Sequence, residues 1–120
     1  MAYFSFEKLD VWQYACRLAV TIYKETEGWN DFSLRNQMTR AAVSIASNIA
    51  EGAERGSDAE FIRFLNISKG SAAELRTQTY IARRIGLLSE PTSKDIIEDL
   101  KNLSSMLHGL IKAIKQKLNT

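Results

Sequence analysis

At 120 residues, 45% hydrophobic, with one proline and six glycines, the chain is long enough to bury a core without metals or disulfides and has little room for a disordered tail. No apolar run approaches the roughly 20 residues of a membrane span. The start Met-Ala-Tyr-Phe-Ser-Phe-Glu-Lys lacks the basic and apolar regions of a signal peptide, so a cytoplasmic protein with no membrane partner is expected. The net charge of +2 is divided unevenly: six Lys/Arg against nine Asp/Glu in residues 1–60, and ten against five in residues 61–120. Any positive patch therefore belongs to the second half, and the protein as a whole is not strongly basic. The single cysteine, Cys16, has no internal disulfide partner. It lies in a helical pattern and reads as a structural thiol.

In chain order, Tyr3 to Leu9 is an aromatic lead-in, with Ser5 or Asp10 available as a cap. Leu9, Val11, Trp12, Ala15, Leu18, Ala19, Ile22 and Tyr23 then mark one face of a helix over about 8–27 that ends at Gly28. Trp12 and Tyr23 fit a core better than a stacking platform, whereas Trp29 and Phe32, beside the first turn, suit a contact surface. A second helix over about 31–55 carries an apolar face of Met38, Ala41, Ala42, Ile45, Ile49 and Ala53. Beside it, Gln37, Arg40, Ser44, Asn48, Glu51 and Arg55 form a polar line. Gly56 suits the positive φ of a helix end, and Ser57 with Glu60 is a capping box that opens a third helix over about 58–85. Thr92 or Ser93 can cap a fourth over about 93–118, whose Ile96, Leu100, Leu103, Leu107, Leu110, Ile114 and Leu118 make a near-heptad seam. Four amphipathic helices joined by short turns predict an all-α, antiparallel up-down-up-down four-helix bundle spanning 1–120 as a single domain.

The turn at Gly56 predicts a register. Positions in helices two and three whose numbers sum to roughly 114 should face each other, since both helices rise equally. Arg40 then meets Glu74, Ser44 meets Gly70, Asn48 meets Asn66 and Glu51 meets Arg63. Small residues at Ser44 and Gly70 would let the backbones approach, which would account for a glycine in mid-helix.

The chemistry of an enzyme is not visible. There is one histidine, His108, and one cysteine, so there is neither a zinc set nor a Glu-x-x-His pair, and no metal or cofactor is expected. Lys69-Gly-Ser lacks the spacing of a phosphate loop and sits inside a helix. Glu51 and Glu54 are an unconvincing carboxylate pair, because Glu51 has Arg63 as a partner in the expected register.

Three ordered blocks carry a resemblance: Phe6-Glu-Lys-Leu-Asp-Val-Trp-Gln-Tyr-Ala15; Gln37 to Arg55, centred on Ala41-Ala-Val-Ser-Ile and Asn48-Ile-Ala-Glu-Gly; and Lys69-Gly-Ser-Ala-Ala-Glu-Leu75. Over nearly the whole chain the sequence resembles the bacterial four helix bundle proteins, also called 23S rRNA-intervening sequence proteins or the S23 ribosomal protein family. It departs from the family pattern at Thr39, where a second arginine is common, and at Ala46, where proline is common. The second departure should leave helix two straighter. The resemblance implies a ring-like homo-oligomer, a pentamer, with no enzymatic activity. A more distant relative, the accessory protein of diversity-generating retroelements, looks like a nucleic-acid and reverse-transcriptase binding ring.

The expected function is therefore a non-catalytic oligomer that binds RNA or DNA, with Arg76, Arg83, Arg84, Lys112, Lys115 and Lys117 as phosphate contacts. Arg40, Ser44, Asn48, Glu51, Gly70 and Glu74 are assigned to the structural seam or the subunit contact. The alternative is a protein-interaction scaffold whose partner seats on Trp29 and Phe32.

Overall fold

The computed structural model describes residues 5–118, and its regular elements are all helical. A 3-10 turn at Phe6–Lys8 precedes α1 (Asp10–Glu25), α2 (Phe32–Glu54), α3 (Asp58–Arg84) and α4 (Glu90–Leu118). Each helix packs on its sequence neighbours and α1 closes on α4, so the four make an antiparallel up-down-up-down bundle of 50 × 20 × 19 Å. The expected fold is the observed one.

Local chemistry sets the helix ends. Ser5 accepts the Glu7 N–H at 3.2 Å and so caps the short turn rather than α1. Thr26 stops α1 two residues before the expected end. Its buried hydroxyl donates to the Ile22 carbonyl at 2.8 Å, while its own carbonyl accepts Arg35 Nε from α2 at 3.1 Å. Asp31 caps α2 through the Leu34 N–H at 2.9 Å. Gly28, Gly56 and Gly86 take φ near +80°, a conformation that only glycine adopts cheaply, and so each helix-ending turn is tight. Ser57 accepts the Glu60 N–H at 3.1 Å, which is half of the expected capping box. The Glu60 carboxylate is held instead by Arg63 Nε at 2.7 Å, which pulls its pKa below the usual carboxylate value. At α4 the cap is Ser89, whose hydroxyl accepts the Thr92 N–H at 3.2 Å; the helix thus begins before Thr92 and Ser93.

The core is the sum of four stripes. Val11, Ala15, Leu18 and Ile22 meet Met38, Ala42, Ile45 and Ile49, then Leu65, Ala72, Leu75 and Ala82, then Ile96, Leu100, Leu103 and Leu107. The α4 seam departs from the expected line in its last turns, where Leu110 is half-buried, Leu118 is 54% exposed, and Ile111 is buried instead. Helix lengths explain this: α1 has 16 residues and α4 has 29. Tyr14 on α1 donates its hydroxyl to Asp99 at 2.9 Å, so in an antiparallel pair α1 begins near the level of Leu103. Beyond it, the α1 side of α4 has no helix among the described residues to bury against.

Candidate nucleic-acid interface

Side chains of α3 and α4 form a groove of about 500 Å³ lined by Asn66, Lys69, His108, Ile111, Lys112, Lys115 and Gln116. Three ammonium groups and no carboxylate line it, and Ile111 supplies an apolar floor. Lysine stems can lie along such a floor and keep their charged heads in water. Lys69 is half-buried; His108, Lys112 and Lys115 are exposed.

The groove is one end of a longer line. Lys69 and His108 line the same cavity, and Lys117 pairs with Asp58 at 3.4 Å. Facing positions on α3 and α4 therefore have numbers that sum to roughly 176. In that register Arg76 meets Lys101 and Arg83 meets Lys94. Lys69, Arg76 and Arg83 recur every seven residues along one flank of α3, and Lys94, Lys101, His108 and Lys115 recur every seven along the facing flank of α4. A seven-residue step is nearly two turns, so each set stays on one side of its helix. The second half's other acids mostly lie elsewhere: Asp99 is tied to Tyr14 of α1, and Glu74 follows the α2 side of α3. Glu90 and Glu98 are the α4 acids nearest this flank by helical position.

The six expected phosphate contacts thus do not make a single patch. Lys112 and Lys115 sit in the groove, while Arg76 and Arg83 lie farther along the same face, with Arg84 turned outward beside them. Arg83 and Lys117 stand about 35 Å apart along the bundle, by the rise of α4. Lys117 is engaged with Asp58 of α3. His108, Lys94 and Lys101 complete the line and were not singled out as contacts from the sequence. The signal for them was the seven-residue spacing on both helices.

The α2–α3 seam follows the expected register to within a residue, but with different partners. Ser44 Oγ and Ser71 Oγ lie 3.0 Å apart, and the fully buried Ser68 donates its hydroxyl to the Ile45 carbonyl at 2.9 Å. Asn48 Nδ2 donates to the Ser44 carbonyl at 2.8 Å and to Ser44 Oγ at 2.9 Å, rather than meeting Asn66, which bonds the Ile62 carbonyl. The charged pairs also stay within their own helices. Glu51 holds Arg55 at 3.0 Å and Glu60 holds Arg63 at 2.7 Å, because partners three or four residues away are reached without spanning the seam. Both arginines cover the Phe64 ring, at 4.9 and 4.5 Å from its centroid. Arg40 and Glu74 are exposed and form no ion pair with each other. Gly70 is exposed with open space at its Cβ position; the glycine at the close approach is Gly52.

On the other side of the bundle, α1 and α2 enclose an apolar groove of about 400 Å³ lined by Phe6, Trp12, Cys16, Ala19, Val43, Ala46, Ser47 and Ala50. Burial pushes the Cys16 thiol pKa up, away from the reactive thiolate. Of the two aromatics expected at a contact surface, Phe32 is 69% exposed, whereas Trp29 is half-buried against the core. Among the described residues no group of three or more His, Cys, Asp or Glu side chains is placed to hold a metal ion. No helix among them is long and apolar enough to cross a membrane.

The profile of the 23S rRNA-intervening sequence proteins matches residues 7–109. Among curated proteins none matches the sequence. A similar solved structure is the crystal structure of a protein of unknown function from the S23 ribosomal protein family of Bacteroides thetaiotaomicron VPI-5482. It superposes with a TM-score of 0.80 at 27% identity, over 85% of this chain and 98% of that one. With the profile covering the lead-in turn, the first three helices and most of α4, the chain belongs to the 23S rRNA-intervening sequence protein family.

Proposed function

We propose that the protein is a non-catalytic homo-oligomer that binds RNA or DNA through cations repeated around the assembly. The observation that carries this reading is the α3–α4 groove, where Lys69, Lys112 and Lys115 converge with no lining carboxylate. Each ammonium is a point charge suited to a phosphate oxygen, and phosphate contacts of this kind give sequence-independent affinity. A few cations per subunit bind weakly alone. Copies on one assembly convert later contacts into intramolecular ones and gain avidity.

The assembly itself is supported by the opposite face. Val20, Tyr23 and Val43 are exposed apolar or aromatic residues of α1 and α2, where a second subunit would bury them without obstructing the α3–α4 groove. The pentameric ring implied by the family resemblance is the arrangement we propose. Arg40, which shares a cleft with Tyr23 and Val43, would belong to that subunit contact, and the exposed Glu51, Gly70 and Glu74 would extend it along the outer side of α2 and α3. Light scattering should return a mass five times that of the 13.6 kDa chain.

The functional test is fluorescence anisotropy of a labelled structured RNA at several salt concentrations. Binding should weaken steeply as salt rises, and the Lys112→Glu, Lys115→Glu double variant should abolish it. Absence of binding even at low salt overturns the reading. A protein partner seated on Phe32, at 69% exposed, is the second reading. Its binding would survive the lysine reversals and be lost with Phe32→Ala.

A further inference from the structure

We propose that Tyr80 is a stacking position for an unpaired base, so that the nucleic acid held along the α3–α4 face is single-stranded. This inference rests on the function proposed above and specifies its ligand. Tyr80 lies well inside the 27-residue α3 and is 37% exposed. Arg76 precedes it by four residues, and Arg83 and Arg84 follow by three and four, so three arginines share its side of the helix.

The other described tyrosines have structural employment. Tyr14 donates to Asp99, and the Tyr23 ring carries Arg35 at 5.9 Å. Among the described residues Tyr80 has no hydrogen bond or ring contact, and none of its three arginine neighbours is stacked on it. Its π-face is therefore available. Arg76 is itself half-buried and forms no ion pair among the described residues, which leaves its charge uncompensated one helical turn from Tyr80.

Cations that track a backbone, with an aromatic face set among them, are what a single strand requires. Every unstacked base offers a π-face, whereas a duplex hides its base faces in the helical stack. Arg76 and Arg83 stand about 10 Å apart along α3, leaving room for the phosphates on either side of one nucleotide stacked on Tyr80. Because the ring is mounted on a helix interior rather than a loop, ordering it for binding costs little side-chain entropy.

The test compares a labelled, unstructured 20-nucleotide single strand with a duplex of the same length. Anisotropy is read for the wild-type full chain, Tyr80→Phe, Tyr80→Ala and Arg76→Gln. The wild type should bind the single strand more tightly. Tyr80→Ala should weaken that binding by about tenfold or more, leave duplex binding unchanged and keep the slope of log affinity against log salt. Tyr80→Phe should bind as the wild type does, and Arg76→Gln should make the salt slope shallower. If Tyr80→Ala binds the single strand normally while Lys112→Glu, Lys115→Glu does not, the stacking role is wrong and the nucleic-acid reading stands. An equal loss on both ligands also refutes stacking. If the wild type binds neither ligand at low salt, both proposals fall together.

Discussion

A Cβ atom added to Gly52 would lie 2.6 Å from the Cβ of Phe64, inside any tolerable contact distance. The obstacle is a side-chain atom fixed to the α3 backbone, with Phe61 Cδ1 next at 3.2 Å, so the helices themselves would have to separate. Gly52→Ala should therefore destabilise the fold by about 1–3 kcal/mol in spite of its better helix propensity. Gly70→Ala, with nothing within 4 Å, should stabilise it by about 1 kcal/mol. Urea midpoints that move in the same direction for both variants would contradict this account.

Ser68 is fully buried and spends its hydroxyl on the Ile45 carbonyl across the seam. Ser68→Ala should cost about 1 kcal/mol, the net worth of one such bond. Ser44→Ala strips two partners at once, Ser71 Oγ and Asn48 Nδ2, and leaves Asn48 with the Ser44 carbonyl alone. Thermal unfolding of the double variant should show less loss than the two single losses combined if the cross-seam bonds support each other.

The Tyr14 hydroxyl is pushed above the ordinary tyrosine pKa, chiefly by burial. The Asn102 hydrogen bond opposes this, and the bond to Asp99 adds to it. The fold thus prefers the protonated phenol. Its stabilising contribution is complete below the unfolded-state value, about 10, and is lost as pH rises through the higher native value. Tyr14→Phe should cost about 1 kcal/mol near neutrality, and its difference from wild type should shrink above that pH. A gap that widens in alkali would show the sign to be wrong.

Gln78 is buried on α3 with its Oε1 unpartnered among the described residues. An acceptor left without a donor costs about 1–3 kcal/mol, while an apolar group of the same shape does not. Gln78→Met should therefore raise the urea midpoint, and a lowered midpoint would mean that the amide has a donor under native conditions.

The helix count, the turns at Gly28 and Gly56 and the α2–α3 register were legible because periodicity and glycine punctuation are local. Which glycine lies in the close approach was not. Gly70 and Gly52 both sit on the hairpin's helices, and a register fixes the level of a residue but not its rotation about the helix axis. Ser71, one residue past Gly70, turns out to be the partner of Ser44. The charged pairs failed for a related reason: Glu51 and Arg63 share a level, yet each has a nearer partner on its own helix. In the candidate site the lysines of α4 were visible as a cluster. The arginines of α3 were expected too, but that Lys94, Lys101 and His108 of α4 stand opposite them was not, because that relationship lies between two helices.

The length mismatch between α1 and α4 has a further effect. The last turns of α4 hold Lys112 and Lys115 but lack α1 as a backing helix, and their outermost leucine, Leu118, is 54% exposed. Their backbone amides should exchange with solvent through local opening well below the global unfolding energy, whereas those around Leu100 should exchange only with global unfolding. The lysine end of the basic line is thus compliant and the arginine end stiff. A ligand seated there would register first as slowed amide exchange between Leu110 and Leu118.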